Sequence, residues 1–360
     1  TAMPSAPVLT VAVAMYQAED TIQRALTSVL DQHHAGVEVV IVDDASTDRS
    51  VDRARAVETH GVPVRIHVLP TNQGAGPGRN QALSLARGQH VLFLDADDQL
   101  LPGAIQRLHS TLRNGKDIDL LFFGVLEHTR GTGRQITSSK LLHTLNSSKD
   151  PVDLYSLPGL LFTPVAPWAK IIRRSFALDK NLEFPGGLHQ DLPWSVEALV
   201  KAQSVGGIDE LIYRYIRPDT GHTATRSMGT RTLVRVDQVR RIRERVTVSD
   251  LPEAVQKHLT ALVAVHLIWG NRAAYRTLPE EHHEELFIKS SEELSWWFDL
   301  AEPGRSVKSE PLMPTSEREF FSRALRSGDN LTWQKALRTF ARKNRWQRRF
   351  SPSRYRLFKR

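Results

Sequence analysis

Short apolar runs alternate with amphipathic segments over the first hundred residues. Apolar runs of this length, bounded by turn residues, are typical of buried parallel strands, and apolar spacings of three and four indicate helices between them. We predict strands at Val8–Met15, Val37–Val42, Val64–Leu69 and His90–Leu94. Helices are predicted at Asp20–Leu30, from a cap at Ser46, Thr47 or Asp48 to about Glu58, and at Arg79–Ala86. This alternation predicts an α/β fold with βαβ units around a Rossmann-like, mostly parallel sheet.

The pattern changes after residue 115. A strand is predicted at Leu120–Leu126, and the polar, Ser/Thr-rich stretch Thr129–Asp150 is predicted to be a mobile insertion. Beyond Arg226 the apolar spacing is helical, near 231–246, 253–276 and 317–326. We therefore expect one α/β domain over 1–225, with halves at 1–115 and 116–225, then a helical region over 226–330 and a basic tail over 331–360.

The sequence contains no cysteine. Disulfides, a thiolate nucleophile and a zinc–cysteine site are therefore excluded. The longest apolar stretches fall well short of the roughly 18 residues of a membrane span. The N-terminus, Thr1-Ala2-Met3-Pro4, lacks the basic and apolar regions of a signal peptide and looks like a tag remnant. We expect a cytoplasmic protein that is neither exported nor inserted in a membrane.

The net charge of +8 is concentrated at the C-terminal end. No acidic residue follows Asp329, and 11 basic residues lie between Lys335 and Arg360. Aromatic residues among them suit peripheral contact with an anionic membrane, here the inner face of the plasma membrane. The alternatives are a solvated terminal segment or a linker to a further domain. We expect no nucleic-acid partner, because no recognised nucleic-acid-binding fold accompanies the tail.

Acidic residues follow two of the predicted strands, at the point where each strand ends. Asp43 and Asp44 end the second strand, and Asp95 and Asp97 follow the fourth, near the glycine-rich loop Thr71–Gly78. Open α/β sheets bind ligands at this edge. Residues two apart in an extended segment point to the same side, so Asp95 and Asp97 can present oxygen ligands to Mg²⁺ or Mn²⁺. The alternative is a solvated acidic turn.

Four motifs occur in order along the first hundred residues. They are Tyr16, Asp43-Asp44-Ala45-Ser46-Thr47-Asp48, Gly76-Pro77-Gly78-Arg79-Asn80 and Phe93-Leu94-Asp95-Ala96-Asp97-Asp98. This set resembles glycosyltransferase family 2, strongly over residues 8–115 and more loosely to about 225. The resemblance implies the GT-A fold with a helical C-terminal extension. It also implies inverting transfer of a sugar from a UDP-sugar, with Mn²⁺ or Mg²⁺ as the cofactor.

The resemblance implies a nucleotide-sugar site at the carboxyl edge of the sheet. Its expected residues are Tyr16, Asp43, Asp44, Gly76, Arg79, Asp95, Asp97, Arg217 and His222. Asp43 or Asp44 would accept an N–H from the uracil base. Asp97 would ligate the metal, and Asp95 would bind the ribose or a metal-bound water. The alternatives are a helix cap at Asp43-Asp44 and a solvated Arg79.

A second set of motifs resembles the acceptor side of the same family. Trp168, Lys170, His189 and Gln190 are the residues expected to bind the acceptor. Gln190-Asp191 stands where the family usually has a Glu-Asp pair. Inverting displacement needs one general base, and Asp191 is the expected one. The alternatives are Trp168 as a core residue and Asp191 as the N-cap of a helix.

The spacing of Arg217 and His222, with the helical extension, resembles the wall teichoic acid glycosyltransferases and related enzymes of cell-surface polymers. The expected acceptor is therefore a hydroxyl of a glycan or of a polyol-phosphate polymer. The Gln-x-x-Arg-Trp motif of processive membrane synthases is absent. Two other functions remain alternatives: a nucleotidyltransferase, and a basic nucleic-acid- or membrane-binding module on a degenerate transferase fold.

Overall fold

The computed structural model describes nine stretches of the chain: 6–32, 34–114, 117–129, 132–148, 150–217, 233–275, 277–300, 323–324 and 329–343. The chain divides into two compact units. The first unit comprises residues 1–153 and 163–219, and the second comprises 154–162 and 220–360.

The first unit alternates strands and helices along the chain. Its elements are β1 (Leu9–Met15), α1 (Ile22–Leu30), β2 (Val37–Asp43), α2 (Ser50–Arg55), β3 (Val64–Val68), α3 (Ala75–Leu85), β4 (His90–Asp95), β5 (Gln99–Leu100), α4 (Ala104–Asn114), β6 (Leu120–Thr129), β7 (Thr132–Gln135), α5 (Ser139–Ser147), β8 (Lys170–Arg173), α6 (Arg174–Asp179), α7 (Asp191–Lys201) and β9 (Val205–Ile216). The four strands predicted in the first hundred residues are confirmed, each to within one residue at either end.

The described strands form one mixed sheet in the order β3-β2-β1-β4-β8-β6-β9-β5, with β7 paired to β6. Six of these nine strands run in the same direction, and β5, β7 and β8 run the opposite way. In β1, Met15 lies opposite Asp43 of β2, and Ala14 lies opposite Asp95 of β4. The carboxyl ends of β1, β2 and β4 therefore meet at one edge. The predicted mostly parallel α/β sheet is confirmed.

The glycine-rich loop is shorter than predicted. Helix α3 begins at Ala75, so the last four residues of Thr71–Gly78 form its first turn, and the prediction of a helix starting at Arg79 was wrong. Gly74, whose φ is +92°, supplies the left-handed conformation just before the helix. Pro77 is compatible with a first helical turn because its missing N–H has no intrahelical partner there. Part of this glycine-rich stretch is therefore helical, although its glycine content predicted a loop.

The stretch Thr129–Asp150, predicted to be a mobile insertion, contains regular structure among its described residues. β7 pairs with β6, and α5 occupies 139–147. The Ser138 hydroxyl accepts a hydrogen bond from the Leu141 N–H at 3.3 Å at the start of α5, and Leu141, Leu142 and Leu145 are buried. The polar composition hid this short apolar face, whose spacing is helical.

The second unit is helical in its described residues. Its helices are α8 (Val234–Arg245), α9 (Glu253–Ala274), α10 (His283–Leu300) and α11 (Asn330–Lys343), with short 3₁₀ helices including Pro158–Phe162. The helices predicted near 231–246 and 253–276 are confirmed. Most of the one predicted near 317–326 lies outside the described residues. The fully buried Glu293 accepts hydrogen bonds from Arg240 and Arg243, which joins α10 to α8.

The predicted basic tail, 331–360, begins inside α11. Trp333, Ala336 and Leu337 of this helix are buried, whereas residues 344–360 lie outside the described part of the chain. Among the helices that the structure describes, none combines the length and the apolar character needed to cross a membrane.

Candidate active site

The candidate site begins at the carboxyl edge of β1, β2 and β4. Tyr16 follows β1 and is exposed, with 51% of its surface accessible. Asp43 ends β2 and Asp95 ends β4. The strand register places these three chain positions on neighbouring strands. The structure therefore brings these three predicted positions to the same edge of the sheet.

The loops that follow β1 and β2 are bound to each other by side-chain hydrogen bonds. The amide oxygen of Gln17 accepts from the N–H groups of Thr47 and Asp48, at 2.9 and 3.2 Å. The Gln17 N–H donates to the Ser46 hydroxyl at 2.9 Å. Gln17 and Ala45 both have positive φ, 48° and 60°, a conformation that costs free energy in residues other than glycine. The backbone beside Tyr16 is thus held in one conformation.

Asp43 and Asp44 differ in how their carboxylates are used. Asp44 accepts the N–H groups of Gln73 and Gly74, one on each oxygen and both at 2.7 Å, and so holds the glycine-rich loop. Asp43 is fully buried and accepts only the Ser46 N–H, on Oδ2, at 3.0 Å. Its Oδ1 is buried and has no hydrogen-bond partner among the described residues. A buried carboxylate oxygen without a donor is costly, so Asp43 Oδ1 is suited to receive an N–H from a ligand.

Three carboxylates cluster immediately after β4. The side chains of Asp95, Asp97 and Asp98 each offer one oxygen, and these oxygens all lie within 4.8 Å of one another. Arg79 of α3, a buried residue, pairs with Asp95 through Nη2 and Oδ1 at 2.6 Å. Arg79 therefore contacts the cluster through Asp95.

The pKa values in the cluster are raised by burial and by mutual repulsion. The side chain of Asp97 is exposed, yet desolvation by the surrounding protein, and next the charge of Asp95, raise its pKa to about 6. Burial, and next the charges of Asp95 and Asp97, raise the pKa of Asp98 to about 9. Carboxylates that raise one another's pKa at this spacing fit a hard divalent cation such as Mg²⁺ or Mn²⁺, whose charge would offset their repulsion.

Asp98 and Tyr213 are two site residues that the sequence did not single out. Asp98 is fully buried and accepts from the Tyr213 hydroxyl and the Ile216 N–H, both at 2.7 Å. Tyr213 in turn accepts from the Asp95 N–H at 3.1 Å and stacks on Trp168, with ring centroids 5.1 Å apart. Because both oxygens of Asp98 are used within the protein, Asp95 and Asp97 are the members suited to hold an ion. The only sequence signal for Asp98 was a third acidic residue in the motif.

The segment before α7 is bound to α3. The Asn80 side-chain amide donates to the Phe184 carbonyl oxygen at 2.9 Å, and the Phe184 N–H donates to the Asn80 side-chain oxygen at 2.8 Å. A side chain at Gly76 would lie 2.5 Å from the Pro185 carbonyl oxygen, so the missing Cβ permits this approach. Gly76, predicted to face the nucleotide, thus also sets the distance between the glycine-rich helix and the segment that carries Asp191.

Asp191 is the first residue of α7, and the N-cap is Gln190. Burial raises the pKa of Asp191, while the charges of Arg79 and then Lys170 lower it. Gln190 is buried, and its Oε1 has no partner among the described residues. His189 precedes them with a φ of 59°. The N-cap alternative for Asp191 is not what the structure shows, since that position belongs to Gln190.

Lys170 and Trp168 are both buried in the first unit. The Lys170 ammonium donates to the carbonyl oxygens of Val165 and Ala166 and to the Ser195 hydroxyl, at 3.3, 2.9 and 3.0 Å. An ammonium has three donors, so all of them are used within the protein. Trp168 stacks between side chains of β9. Neither residue lies open to solvent, which changes the roles that can be proposed for them.

Arg217 directly follows β9, next to an acidic side chain. Its side-chain Nη1 lies 3.3 Å from a carboxylate oxygen of Glu127, and its backbone N–H donates to the His128 carbonyl oxygen at 3.0 Å. Glu127 also pairs with Arg134 at 2.6 Å. His222, the second residue expected to hold the diphosphate, lies outside the described residues.

Residues 10–167 match the family model described as Glycosyl transferase family 2. One relative is the uncharacterized glycosyltransferase YibD of Escherichia coli, 27% identical over 235 residues, which are 64% of this chain and 67% of YibD. Another is the poly(ribitol-phosphate) beta-glucosyltransferase of Bacillus spizizenii, 27% identical over 58% of this chain and 32% of that protein. The chain spans less than two thirds of the length of most of the first curated relatives it matches.

Two solved structures share the fold. The S. aureus TarS 1–349 structure in complex with UDP superposes with a TM-score of 0.71 at 19% identity, over 93% of this chain and 92% of that one. The mannosyltransferase PcManGT of Pyrobaculum calidifontis, in complex with GDP-Man and Mn²⁺, superposes with a TM-score of 0.52 at 17% identity, over 96% of this chain and 89% of that one.

Proposed function

We propose that the chain, whose residues 10–167 match the family 2 model and whose fold is GT-A-like, is an inverting glycosyltransferase of that family that uses a UDP-sugar. The observation that carries the proposal is the cluster of Asp95, Asp97 and Asp98 at the sheet edge where Asp43 is buried. Carboxylates at this edge suit the binding of a nucleoside diphosphate with a cation. We assign this activity to residues 1–225, with 226–330 as a helical region and 331–360 as the tail.

We assign the uracil base to Asp43 rather than Asp44. Asp44 already binds the backbone of the glycine-rich loop with both oxygens, whereas Asp43 Oδ1 has no donor among the described residues. A base N–H would satisfy that oxygen. Tyr16, exposed beside the same edge, would cover a face of the base.

Asp97 and Asp95 would hold Mn²⁺ or Mg²⁺. When bound, the cation would supply charge stabilisation for the diphosphate leaving group. Arg79 holds Asp95 through its 2.6 Å pair and so orients one of the two carboxylates. Arg217 and His222 would contact the diphosphate from the segment after β9. This would require Arg217 to exchange its contact with Glu127 for the phosphate oxygens.

Asp191 would act as the general base. The acceptor hydroxyl oxygen forms a bond to the anomeric carbon on the face opposite the diphosphate, and its proton passes to the Asp191 carboxylate. The bond from the anomeric carbon to the diphosphate oxygen breaks, and its electron pair leaves with UDP. A raised pKa suits this role because a stronger base accepts the proton more readily near neutral pH. His189 and Gln190 would border the acceptor, and Trp168, predicted as an acceptor residue, would support this side from its buried position against Tyr213 and Tyr215.

The proposed acceptor is a hydroxyl of a glycan or a polyol-phosphate polymer. The Bacillus spizizenii relative is named for poly(ribitol-phosphate), which supports a phosphate-rich acceptor. The basic C-terminal residues suit such a polymer, or an anionic membrane surface that brings a cytoplasmic enzyme to its acceptor. The acceptor class rests on these two observations.

A thermal-shift screen tests the donor proposal. We expect UDP with Mn²⁺ to raise the melting temperature more than either alone, and more than GDP or ADP with Mn²⁺, because ligand binding stabilises the folded state by mass action. UDP release from UDP-sugars, with and without a polyol-phosphate polymer, then tests transfer. A nucleotidyltransferase would instead release pyrophosphate from a nucleoside triphosphate, and a binding module would bind UDP without turnover.

A further inference from the structure

Lys170 is a buried cation that the proposed mechanism does not use. It is 1% exposed, and its ammonium lies over the rings of Phe122 and Trp194, at 5.6 and 5.7 Å from their centroids. Its three hydrogen bonds go to two carbonyl oxygens and one hydroxyl, and no carboxylate is among these partners. A buried ammonium needs a compensating negative charge nearby, because neutral acceptors alone do not offset its desolvation.

The hydroxyl that binds Lys170 belongs to the same helix as Asp191. Ser195 accepts from Lys170 Nζ at 3.0 Å and lies four residues after Asp191 on α7. Residues four apart share a helix face and are neighbours along it. The ammonium is thus bound to a side chain that lies one helical turn along α7 from Asp191.

The charged groups that act on Asp191 come from two other elements. Arg79 of α3 and Lys170 of β8 both lower the pKa of Asp191, against the effect of burial. Arg79 is already paired with Asp95 at 2.6 Å. Burial in turn lowers the pKa of Lys170 to about 7, and the charge of Asp191 opposes this effect. Lys170 and Asp191 therefore stabilise each other's ionised forms.

We propose that Lys170 is a positioning residue that keeps Asp191 ionised for its role as general base, with Ser195 fixing the ammonium in place. The proposal rests on the proposed function, since it needs Asp191 to accept the acceptor proton. It replaces direct acceptor binding as the role of Lys170, because the ammonium is enclosed and its donors are occupied. The Lys170 ammonium and the Ser195 hydroxyl both donate to the Val165 carbonyl oxygen, and together they hold this turn against α7.

The pH dependence of turnover separates this role from a purely structural one. In Lys170→Met the positive charge is lost, so the pKa of Asp191 rises and the acid limb of the turnover profile moves to higher pH by about one unit or more. Turnover at pH 6 then falls about tenfold more than turnover on the alkaline plateau. Lys170→Arg keeps the charge, and we expect its acid limb to stay near that of the wild type.

Matched variants make the result decisive. Lys201→Met removes a half-buried lysine from the end of the same helix α7, where it pairs with Glu197, and should leave the acid limb in place. Lys170→Gln removes the charge but keeps an N–H donor for Ser195, and it replaces Lys170→Met if that variant does not fold. An acid limb that stays in place in the folded charge-removal variant, with turnover lowered equally at all pH values, overturns the proposal.

The same assay distinguishes failure of the proposed function. Asp191→Asn should remove the acid limb together with most of the turnover. If Asp191→Asn retains both the acid limb and the turnover, the general base lies elsewhere, and the role given to Asp191 in the proposed function is wrong. If Asp191→Asn behaves as expected and the Lys170 variants do not shift the limb, only the positioning role of Lys170 is wrong.

Discussion

Two regions of the first unit hold their acidic groups in different ways: the proposed nucleotide side, at the carboxyl edge of β1, β2 and β4, and the proposed acceptor side, at the start of α7. On the nucleotide side, Asp44 and Asp98 use both carboxylate oxygens on donors from the protein. On the proposed acceptor side, the Asp191 carboxylate accepts the N–H of Leu192 at 3.1 Å, and the positive charges of Arg79 and then Lys170 lower its pKa against the effect of burial.

This difference indicates what each side has to do. Two hydrogen bonds to each carboxylate fix its orientation, which suits side chains that hold the loops around the site in place. A carboxyl balanced by distant charges can take up a proton without losing a network of hydrogen bonds. This difference suits binding on the proposed nucleotide side and proton transfer at Asp191 in the proposed mechanism.

Removing Asp97 gives the sharpest test of the nucleotide side. We expect Asp97→Ala to lower turnover by about a thousandfold or more, since the charge stabilisation supplied by a cation amounts to several kcal/mol. The Mn²⁺-dependent part of UDP binding should be lost and the fold retained, because the side chain is exposed. Steady-state kinetics and thermal shift with UDP and Mn²⁺ measure both effects.

Asp209→Ala is the matched control, since it removes an exposed carboxylate from β9. It should leave turnover and Mn²⁺-dependent binding unchanged. Full activity of Asp97→Ala, or undiminished wild-type activity in excess EDTA, would show that the acidic cluster does not act through a cation.

Asp191→Asn tests the acceptor side. We expect turnover to fall by about two orders of magnitude or more, roughly the contribution of a general base, with UDP affinity nearly unchanged. The substitution is almost isosteric, and the N-cap position belongs to Gln190, so little stability should be lost. Steady-state kinetics measure the loss of turnover, and titration with UDP measures the affinity.

Asp179→Asn makes the same chemical change at an exposed position at the end of α6 and should have no effect on turnover. Normal turnover of Asp191→Asn would remove the basis for treating the two sides as different. Equal losses of turnover and of UDP affinity would instead place Asp191 on the nucleotide side.

The two sides also differ in how far the sequence predicted them. The motifs at Asp43, Asp95 and the glycine-rich loop are contiguous and stand at strand ends, so the edge they share followed from the alternation of strands and helices. The connections that complete the site could not be predicted in this way. Asn80 contacts Phe184 across 104 residues of sequence, and Tyr213 contacts Asp98 across 115. Pattern analysis detects local periodicity and carries no information about such pairings.

Composition misled the prediction where short elements carry polar surfaces. The stretch 129–150 forms β7 and α5 although most of its residues are polar, because a few leucines suffice to bury one face of a short helix. Lys170 illustrates a second limit. Its residue type suggests an exposed binding group, and only the fold shows that its ammonium is enclosed.

Gly76→Ala tests whether the two sides depend on each other. Its Cβ would lie 2.5 Å from the Pro185 carbonyl oxygen, so α3 and the segment before α7 must move apart. We expect a loss of about 1–3 kcal/mol of stability and a ten- to hundredfold fall in turnover, about the effect of a small displacement of catalytic groups. Chemical denaturation and kinetics at saturating donor measure these effects.

Gly186→Ala, nearby in the same segment, is the matched control because nothing lies within 4 Å of its added Cβ. It should retain turnover and stability. If Gly76→Ala turns over like the wild type at unchanged stability, the two sides do not depend on this contact for their relative position.

Removing the C-terminal basic residues should have the smallest effect on turnover of a small soluble acceptor. The deletion should start at residue 344, because α11 extends to Lys343 and buries Trp333 and Leu337. Residues 344–360 contain seven basic residues and no acidic one. At about 1 kcal/mol per basic residue near an anionic surface, part of this segment suffices for reversible attachment. We expect UDP binding to be unchanged and co-sedimentation with phosphatidylserine-containing vesicles to fall.

Salt dependence identifies the cause of that attachment. Full-length protein should leave the anionic vesicles as the salt concentration rises, because the attraction between exposed charges is screened within about 10 Å at 0.1 M salt. Neutral vesicles are the control and should bind neither form. A lower Michaelis constant of the full-length protein for a polyol-phosphate polymer, at equal vesicle binding, would assign the basic residues to the acceptor. Equal vesicle binding together with equal Michaelis constants would show that these basic residues have no role in either contact.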